Sequence, residues 1–128
     1  MRRYFLPLAV AAATACGPTR GDLADRAALA EARPIGPSVD CISLQRIDYT
    51  RVRDDRTIDF YMRGRGVYRN VLPQSCPRLG FEEAFSYKTS LSRLCAVDII
   101  TVLDRSGAGI PGPSCGLGRF QPIETSAR

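Results

Sequence analysis

The sequence TIDFYMRGRGVYRNVL, residues 57–72, contains the strongest structural pattern in the chain. Large apolar residues alternate with polar ones in its first half. The apolar positions are Ile58, Phe60 and Met62, and the polar positions are Asp59, Tyr61 and Arg63. Such alternation is typical of a half-buried strand. The glycine-rich sequence at 64–66 predicts a hairpin turn, and residues 67–72 predict a second strand that ends at Pro73.

Further strands are predicted on both sides of this hairpin. Residues 49–53 also alternate, and the turn-forming sequence at 54–56 connects them to the hairpin, which predicts a meander of three strands. Residues 97–103 are apolar at nearly every position, a pattern that predicts a central strand covered on both faces. Residues 41–47 and 115–120 predict a first and a last strand. The expected fold is therefore mainly β: a small antiparallel barrel or curled sheet of five to six strands.

Composition limits the chemistry that this chain can perform. It has 128 residues and a net charge of +5, from 18 basic and 13 acidic residues, and it contains no histidine. The missing imidazole excludes Ser-His-Asp and Cys-His nucleophile pairs and histidine-ligated metals. With no recognisable catalytic constellation, the chain is predicted to be non-enzymatic, with no cofactor and no metal.

The first fifteen residues are typical of an export signal. A basic start, Arg2-Arg3, precedes an apolar run at 4–15 that is shorter than the roughly 20 residues needed to span a bilayer. Cleavage has two interpretations. Residues 13–15 fit ordinary signal peptidase, whereas Ala13-Thr14-Ala15-Cys16 resembles the lipobox of bacterial lipoproteins, apart from Ala13, where leucine is usual. Gly17 resembles the following residue of lipoproteins sorted to the outer membrane. The expected location is the cell envelope, on the periplasmic side.

Export could use either of two routes. Residues 2–6 resemble the core of a twin-arginine signal, so this route remains an alternative to general secretion.

Cysteine parity favours the lipoprotein interpretation. Five cysteines in an exported chain leave one unpaired. If Cys16 carries lipid, Cys41, Cys76, Cys95 and Cys115 can form two disulfides, in any of three pairings. A zinc site is the rival, but the Cys-x-x-Cys spacing of such sites is missing and an exported protein favours disulfides.

The chain is predicted to hold one small domain. Residues 1–15 are the signal, 16–38 a linker to the lipid anchor, 39–123 the β-rich domain and 124–128 a disordered tail. Within the linker, Asp22 can cap a short helix that ends near Pro34. This helix is expected to be a spacer. The alternative is a docking helix, although its apolar residues are mostly alanine.

Arginine and tyrosine are interleaved along the meander and form a possible binding face. Its residues are Tyr49, Arg51, Arg53, Tyr61, Arg63 and Tyr68, with Arg46, Arg65 and Arg69 nearby. Such a surface suits a glycan, an anionic ligand or an acidic envelope protein. Nucleic acid is not expected as a partner in the periplasm. The alternative is a solvated face on which Asp48, Asp54, Asp55 and Asp59 balance the arginines.

Two polar residues lie within apolar segments, Asn70 and Asp98. A carboxylate there must be hydrogen-bonded or paired, so Asp98 is expected to be a structural acceptor, with Asn70 as one possible partner. The alternative gives Asp98 a raised pKa and makes the protein a carboxylate-dependent periplasmic hydrolase.

A series of short motifs between residues 40 and 123 resembles a known family. The motifs are Cys41-Ile42, Asp54-Asp55-Arg56-Thr57-Ile58, Tyr68-Arg69-Asn70-x-Leu72, Cys76-Pro77-x-Leu79, Asp98-x-Ile100-x-Val102 and Cys115-x-Leu117-Gly118-x-Phe120. Their order and spacing are similar to those of small exported proteobacterial proteins of unknown function, often predicted lipoproteins. The resemblance implies export, a β-rich domain and no catalytic residue. It also implies a Cys76–Cys115 disulfide, which leaves Cys41 to pair with Cys95.

Overall fold

The computed structural model describes residues 16–125 and is mainly β, as the sequence predicts. The elements in chain order are helix α1 (Arg20–Glu31), strands β1 (Arg33–Pro34) and β2 (Cys41–Ser43), a 3-10 turn (Leu44–Arg46), strands β3 (Ile47–Val52), β4 (Thr57–Met62) and β5 (Val67–Val71), helix α2 (Leu79–Glu82), and strands β6 (Phe85–Tyr87), β7 (Arg93–Cys95), β8 (Ile99–Val102), β9 (Ser114–Gly116) and β10 (Phe120–Glu124). The predicted signal, residues 1–15, lies outside the described residues, as do residues 126–128 of the predicted tail.

The strands form three antiparallel sheets. The largest has the order β1-β10-β5-β4-β3, the second pairs β2 with β7, and the third has the order β6-β8-β9. Ten short strands therefore replace the five to six predicted, and hydrogen bonding over residues 16–125 does not close them into a barrel. No helix among these residues is long and apolar enough to cross a membrane.

Two disulfides cross-link the β-rich body. Cys41 is bonded to Cys95 between the facing positions of β2 and β7, and Cys76 is bonded to Cys115 between a loop and β9. This is the pairing that the family resemblance implies. Each bond joins segments that are far apart in sequence, so together they constrain most of the body.

The meander of β3, β4 and β5 is present as predicted. Gly64 and Gly66, in the turn between β4 and β5, have φ angles of 84° and 105°. These left-handed values favour glycine, because other residues carry a Cβ that would clash. Asp54 Oδ1 accepts a 2.8 Å hydrogen bond from the backbone N–H of Arg56 and so stabilises the preceding turn.

Strand β4 is buried on both faces, so the prediction of a half-buried strand was wrong. Ile58 and Phe60 belong to the main hydrophobic core, where Phe60 makes edge-to-face contacts with Phe85 and Phe120. The opposite face carries Asp59, whose exposed fraction is 0%. Alternation of polar and apolar residues predicts a solvated second face, but here the polar face is covered by protein.

Strand β8, in contrast, is less buried than its sequence predicts. Residues 97–103 were expected to be covered on both faces, yet only Ile100 and Val102 are buried, whereas Val97 is 87% and Ile99 57% exposed. The reason is that β8 is central only within the small β6-β8-β9 sheet, which places one face against the core.

The segment predicted to be a linker packs against the domain. Strand β1 pairs with β10. In helix α1, Ala28 is buried, and Asp25 accepts a hydrogen bond from Arg53, the residue that follows β3. The apolar face of α1 is indeed small, but the helix supplies a carboxylate and a backbone carbonyl to buried arginines. The predicted tail also begins too early, because Glu124 belongs to β10.

Helix α1 begins with a capping box that should make its first turn sensitive to acid. The backbone N–H of Thr19 donates to the Asp22 carboxylate (2.9 Å), and the backbone N–H of Asp22 donates to Thr19 Oγ1 (3.2 Å). The hydrogen bonds from Thr19 lower the pKa of Asp22. A lowered folded-state pKa means that this stabilisation is present above the unfolded-state pKa and is lost as pH falls through the folded value.

We therefore expect the first turn of α1 to fray in strong acid before the sheets unfold. Backbone chemical shifts of residues 20–23, followed by NMR from neutral pH downward, will report this loss. In Asp22→Asn the first turn should be weaker at neutral pH and should not change further as the pH falls. An identical pH profile in Asp22→Asn would contradict the assignment.

Candidate functional site

The residues of the predicted Arg/Tyr face lie on different sides of the sheet. Tyr49 and Tyr61 are paired across β3 and β4 and stack with ring centroids 4.5 Å apart. Tyr68 lies opposite Phe60 and packs against the main core, so it faces the other side of the sheet. Arg51 and Arg63 are exposed, whereas Arg53 and Tyr61 are buried. The six residues therefore do not form one continuous surface.

Arg53 instead belongs to a buried charge cluster centred on Asp59. Arg53 Nε donates to Asp59 Oδ2 (2.9 Å), and Arg69 donates two hydrogen bonds of 2.8 Å to the two oxygens of the same carboxylate. Arg53 also bonds to Asp25 Oδ1 (2.9 Å) and to the Tyr61 hydroxyl (2.8 Å). Two arginines and two aspartates thus balance in charge.

Within this cluster, Arg53 is held in its charged form. Burial opposes the charge on Arg53, but hydrogen bonds to Asp25 and Asp59 outweigh it and raise the pKa of Arg53. Asp59 has both oxygens occupied by guanidinium groups. The ion pairs between Arg53 and the aspartates of helix and strand hold helix α1 on the sheet.

Asn70 and Asp98 both have structural contacts, although not with each other. Asn70 is fully buried, donates to the carbonyl of Gly118 and accepts from its N–H, each at 2.8 Å. A Cβ at Gly118 would lie 2.2 Å from the carbonyl oxygen of Val71, so only glycine fits there. Asp98 accepts a 2.7 Å hydrogen bond from the backbone N–H of Cys95 in the turn before β8.

A second buried carboxylate was missed by the sequence analysis. Glu82, 4% exposed at the end of α2, accepts hydrogen bonds from Arg78 Nη2 (2.5 Å) and from the backbone N–H of Arg105 (3.0 Å). These contacts join α2 to the loop after β8. The only sequence signal is the i,i+4 spacing of Arg78 and Glu82, which is common on solvated helices and so does not indicate burial.

The most suitable binding site is a cavity of about 370 Å³ beside the β4–β5 turn, which we call the hairpin groove. It lies among β2, the 3-10 turn, the hairpin and β10. Its lining residues are Ile35, Cys41, Ile42, Ser43, Arg46, Met62, Arg65, Gly66, Val67, Tyr68 and Pro122. This volume is within the usual range for small-molecule sites, and most of the lining is apolar, as in such sites.

The hairpin groove has an uncompensated positive charge. Arg46 and Arg65 are its only charged lining residues. Neither guanidinium makes a hydrogen bond or ion pair with any residue in the 16–125 range, and both are exposed. Tyr68 is the one member of the predicted binding face in the groove.

A larger cavity, about 560 Å³, lies between α1 and the turn at 54–56, but its four aspartates accept hydrogen bonds from protein atoms. Asp25 bonds to Arg53, Asp54 to the N–H of Arg56, and Asp55 Oδ1 to the N–H of Gly80. In the part of the chain that the structure describes, no three side chains of the metal-binding types come close enough to hold a metal ion.

The fold and the hairpin groove define a disulfide-bonded, mainly β protein with a cavity that combines two arginines with apolar side chains. No protein-family model, curated protein or solved structure matches the chain.

Proposed function

We propose that this protein is exported to the cell envelope, is anchored to the outer membrane by lipid on Cys16, and binds an envelope ligand through its β domain without catalysis. The proposal combines the export signal expected at 1–15, the lipobox-like sequence at 13–16 and the contents of the hairpin groove.

The distribution of the cysteines carries the proposal. Four of them are paired in two disulfides, whereas Cys16 is unbridged and exposed. Structural disulfides are typical of oxidising compartments, which supports export. Cys16 is also the cysteine that follows the small residues at 13–15, and it lies ahead of the folded elements, where a lipid would disturb no packing.

An anchor at Cys16 would keep the domain close to the membrane surface. Only three residues lie between Cys16 and Arg20, the first residue of α1, and the four Cα–Cα steps between them span about 14 Å in a fully extended chain. Because α1 is fixed to the sheet through Asp25 and Arg53, the body of the protein could not move much farther away.

Binding is favoured over catalysis because the candidate acidic groups already have hydrogen-bond or ion-pair partners. Asp98, which the hydrolase alternative requires, already accepts a backbone hydrogen bond, and Asp59 is saturated by two arginines. The hairpin groove is lined by no carboxylate that could act as a general acid or base.

The anchor is tested by labelling with radioactive palmitate in a diderm bacterium, followed by intact-mass analysis. We expect wild-type protein to incorporate label and to begin at a lipid-modified Cys16, whereas Cys16→Ser should incorporate none. Cys76→Ser with Cys115→Ser is the control, because it also replaces cysteine by serine, leaves no new free thiol and should retain the label. Unlabelled wild-type protein with an unmodified residue 16 would contradict the lipid anchor.

A further inference from the structure

We propose that the hairpin groove binds a phosphate-bearing amphiphile, with the anionic head at Arg46 and Arg65 and the hydrocarbon chain on the apolar lining. This inference rests on the proposed function, since it specifies the ligand class of the envelope-binding domain.

The charge of the groove points to an anionic head group. Guanidinium groups present a planar set of donors that match phosphate oxygens. Arg53 and Arg69 already use their donors on Asp59, but Arg46 and Arg65 use none on the residues that the structure describes. Because no carboxylate lines the cavity, an anion there would meet two cations and no repulsion.

The remaining lining points to a hydrocarbon chain. Ile42 and Met62 form a buried floor, and Ile35 at the rim is 61% exposed despite its size. A free anion would leave this apolar surface in contact with water, whereas a chain would cover it.

The groove continues beyond its rim, which suits an extended molecule. A second cavity of about 470 Å³ shares Ile35, Arg65, Gly66 and Val67 with the first. It is also lined by one carboxylate, Glu124, which forms an ion pair with Arg33 (3.7 Å). Arg65 and Ile35 therefore stand between two connected hollows along the hairpin. A ligand with a head group and a chain can occupy both, whereas a compact ion would fill neither.

The inference is tested by isothermal titration of the full-length chain carrying Cys16→Ser, which removes the proposed lipid. The probe is lauryl phosphate below its micelle concentration, compared with inorganic phosphate and with neutral lauryl maltoside. We expect lauryl phosphate to bind at least about 10-fold more tightly than either, and this preference to weaken at high salt.

Variants locate the site. Replacing both Arg46 and Arg65 by Gln should raise the Kd for lauryl phosphate at least about 10-fold. The matched control, Arg51→Gln with Arg63→Gln, removes two exposed arginines outside the groove and should leave the Kd unchanged. This control also subtracts any binding by the apolar run at 4–15. Ile35→Gln should weaken lauryl phosphate but not change the response to inorganic phosphate.

Competition distinguishes two sources of the same chemistry. Displacement of lauryl phosphate by short-chain phosphatidylglycerol identifies a phospholipid, and displacement by a phosphorylated diglucosamine lipid identifies a saccharide lipid; either result supports the inference. Displacement by neither, equal binding of lauryl maltoside, or an unchanged Kd in the Arg46/Arg65 variant would overturn it. Since these measurements use unlipidated protein, their failure is separate from a failure of palmitate labelling.

Discussion

Removing either disulfide will lower the free energy of unfolding by about 4 kcal/mol, and removing both will leave the chain unfolded. The bonds join residues 54 and 39 positions apart. On the chain-entropy model, loops of this length each contribute about 4 kcal/mol, because the bond restricts the unfolded chain. A domain of this size has a net stability of about 5–15 kcal/mol, so the loss of both bonds is comparable to the whole.

Urea denaturation followed by circular dichroism will measure these changes. The variants are Cys41→Ser with Cys95→Ser, Cys76→Ser with Cys115→Ser, and all four together. Cys16→Ser is the control and should leave the midpoint unchanged, because Cys16 is unbridged. A cooperative unfolding transition in the fourfold variant would contradict the expectation and would mean that the hydrophobic core is sufficient.

Local signals in the sequence are what made part of this fold predictable. The alternation at 58–62 and the glycines at 64 and 66 define the hairpin, because strand period and turn geometry depend on neighbouring residues. Cysteine parity predicts two disulfides once Cys16 is set aside, whereas their pairing was implied only by the family resemblance. In each case the deciding information lies within a few residues or within a single residue type.

What covers each face of a strand could not be predicted, because the covering residues are distant in sequence. Asp59 looks like a solvated position, yet it is buried by Arg53, Arg69 and a helix some thirty residues earlier. Ile99 looks buried, yet its sheet has no second layer on that side. A charged side chain must be either hydrated or paired with protein groups, and the local sequence does not show which of the two occurs.

The candidate site also depends on contacts between residues that are distant in sequence. Arginine and tyrosine are interleaved along the meander in the sequence, but strand register assigns Tyr49 to one face and Tyr68 to the other. The hairpin groove forms only when Ile35 from the predicted linker meets the turn at 64–66. Because the linker was expected to be free of the domain, no local pattern could place its side chain there.

Asp59→Asn will be the most damaging conservative substitution in the described body. It keeps the size of the side chain but removes the negative charge that Arg53 and Arg69 share, leaving two arginines buried around one remaining carboxylate, Asp25. Removing one partner of a buried ion pair costs about 3–5 kcal/mol, and an arginine does not relieve the imbalance by losing its proton, because guanidinium groups stay protonated in proteins. Asp48→Asn is the matched control.

Asp48 is exposed beside the irregularity in β3, so its replacement should change the free energy of unfolding by less than about 0.5 kcal/mol. Urea denaturation will compare the two variants with wild type. Replacing the core of the cluster by apolar residues of similar size, with Asp59→Leu, Arg53→Met and Arg69→Met, should restore part of the lost stability, because no buried cation is then left unpaired. Equal midpoints for Asp59→Asn and Asp48→Asn would mean that water, rather than Asp59, satisfies these arginines.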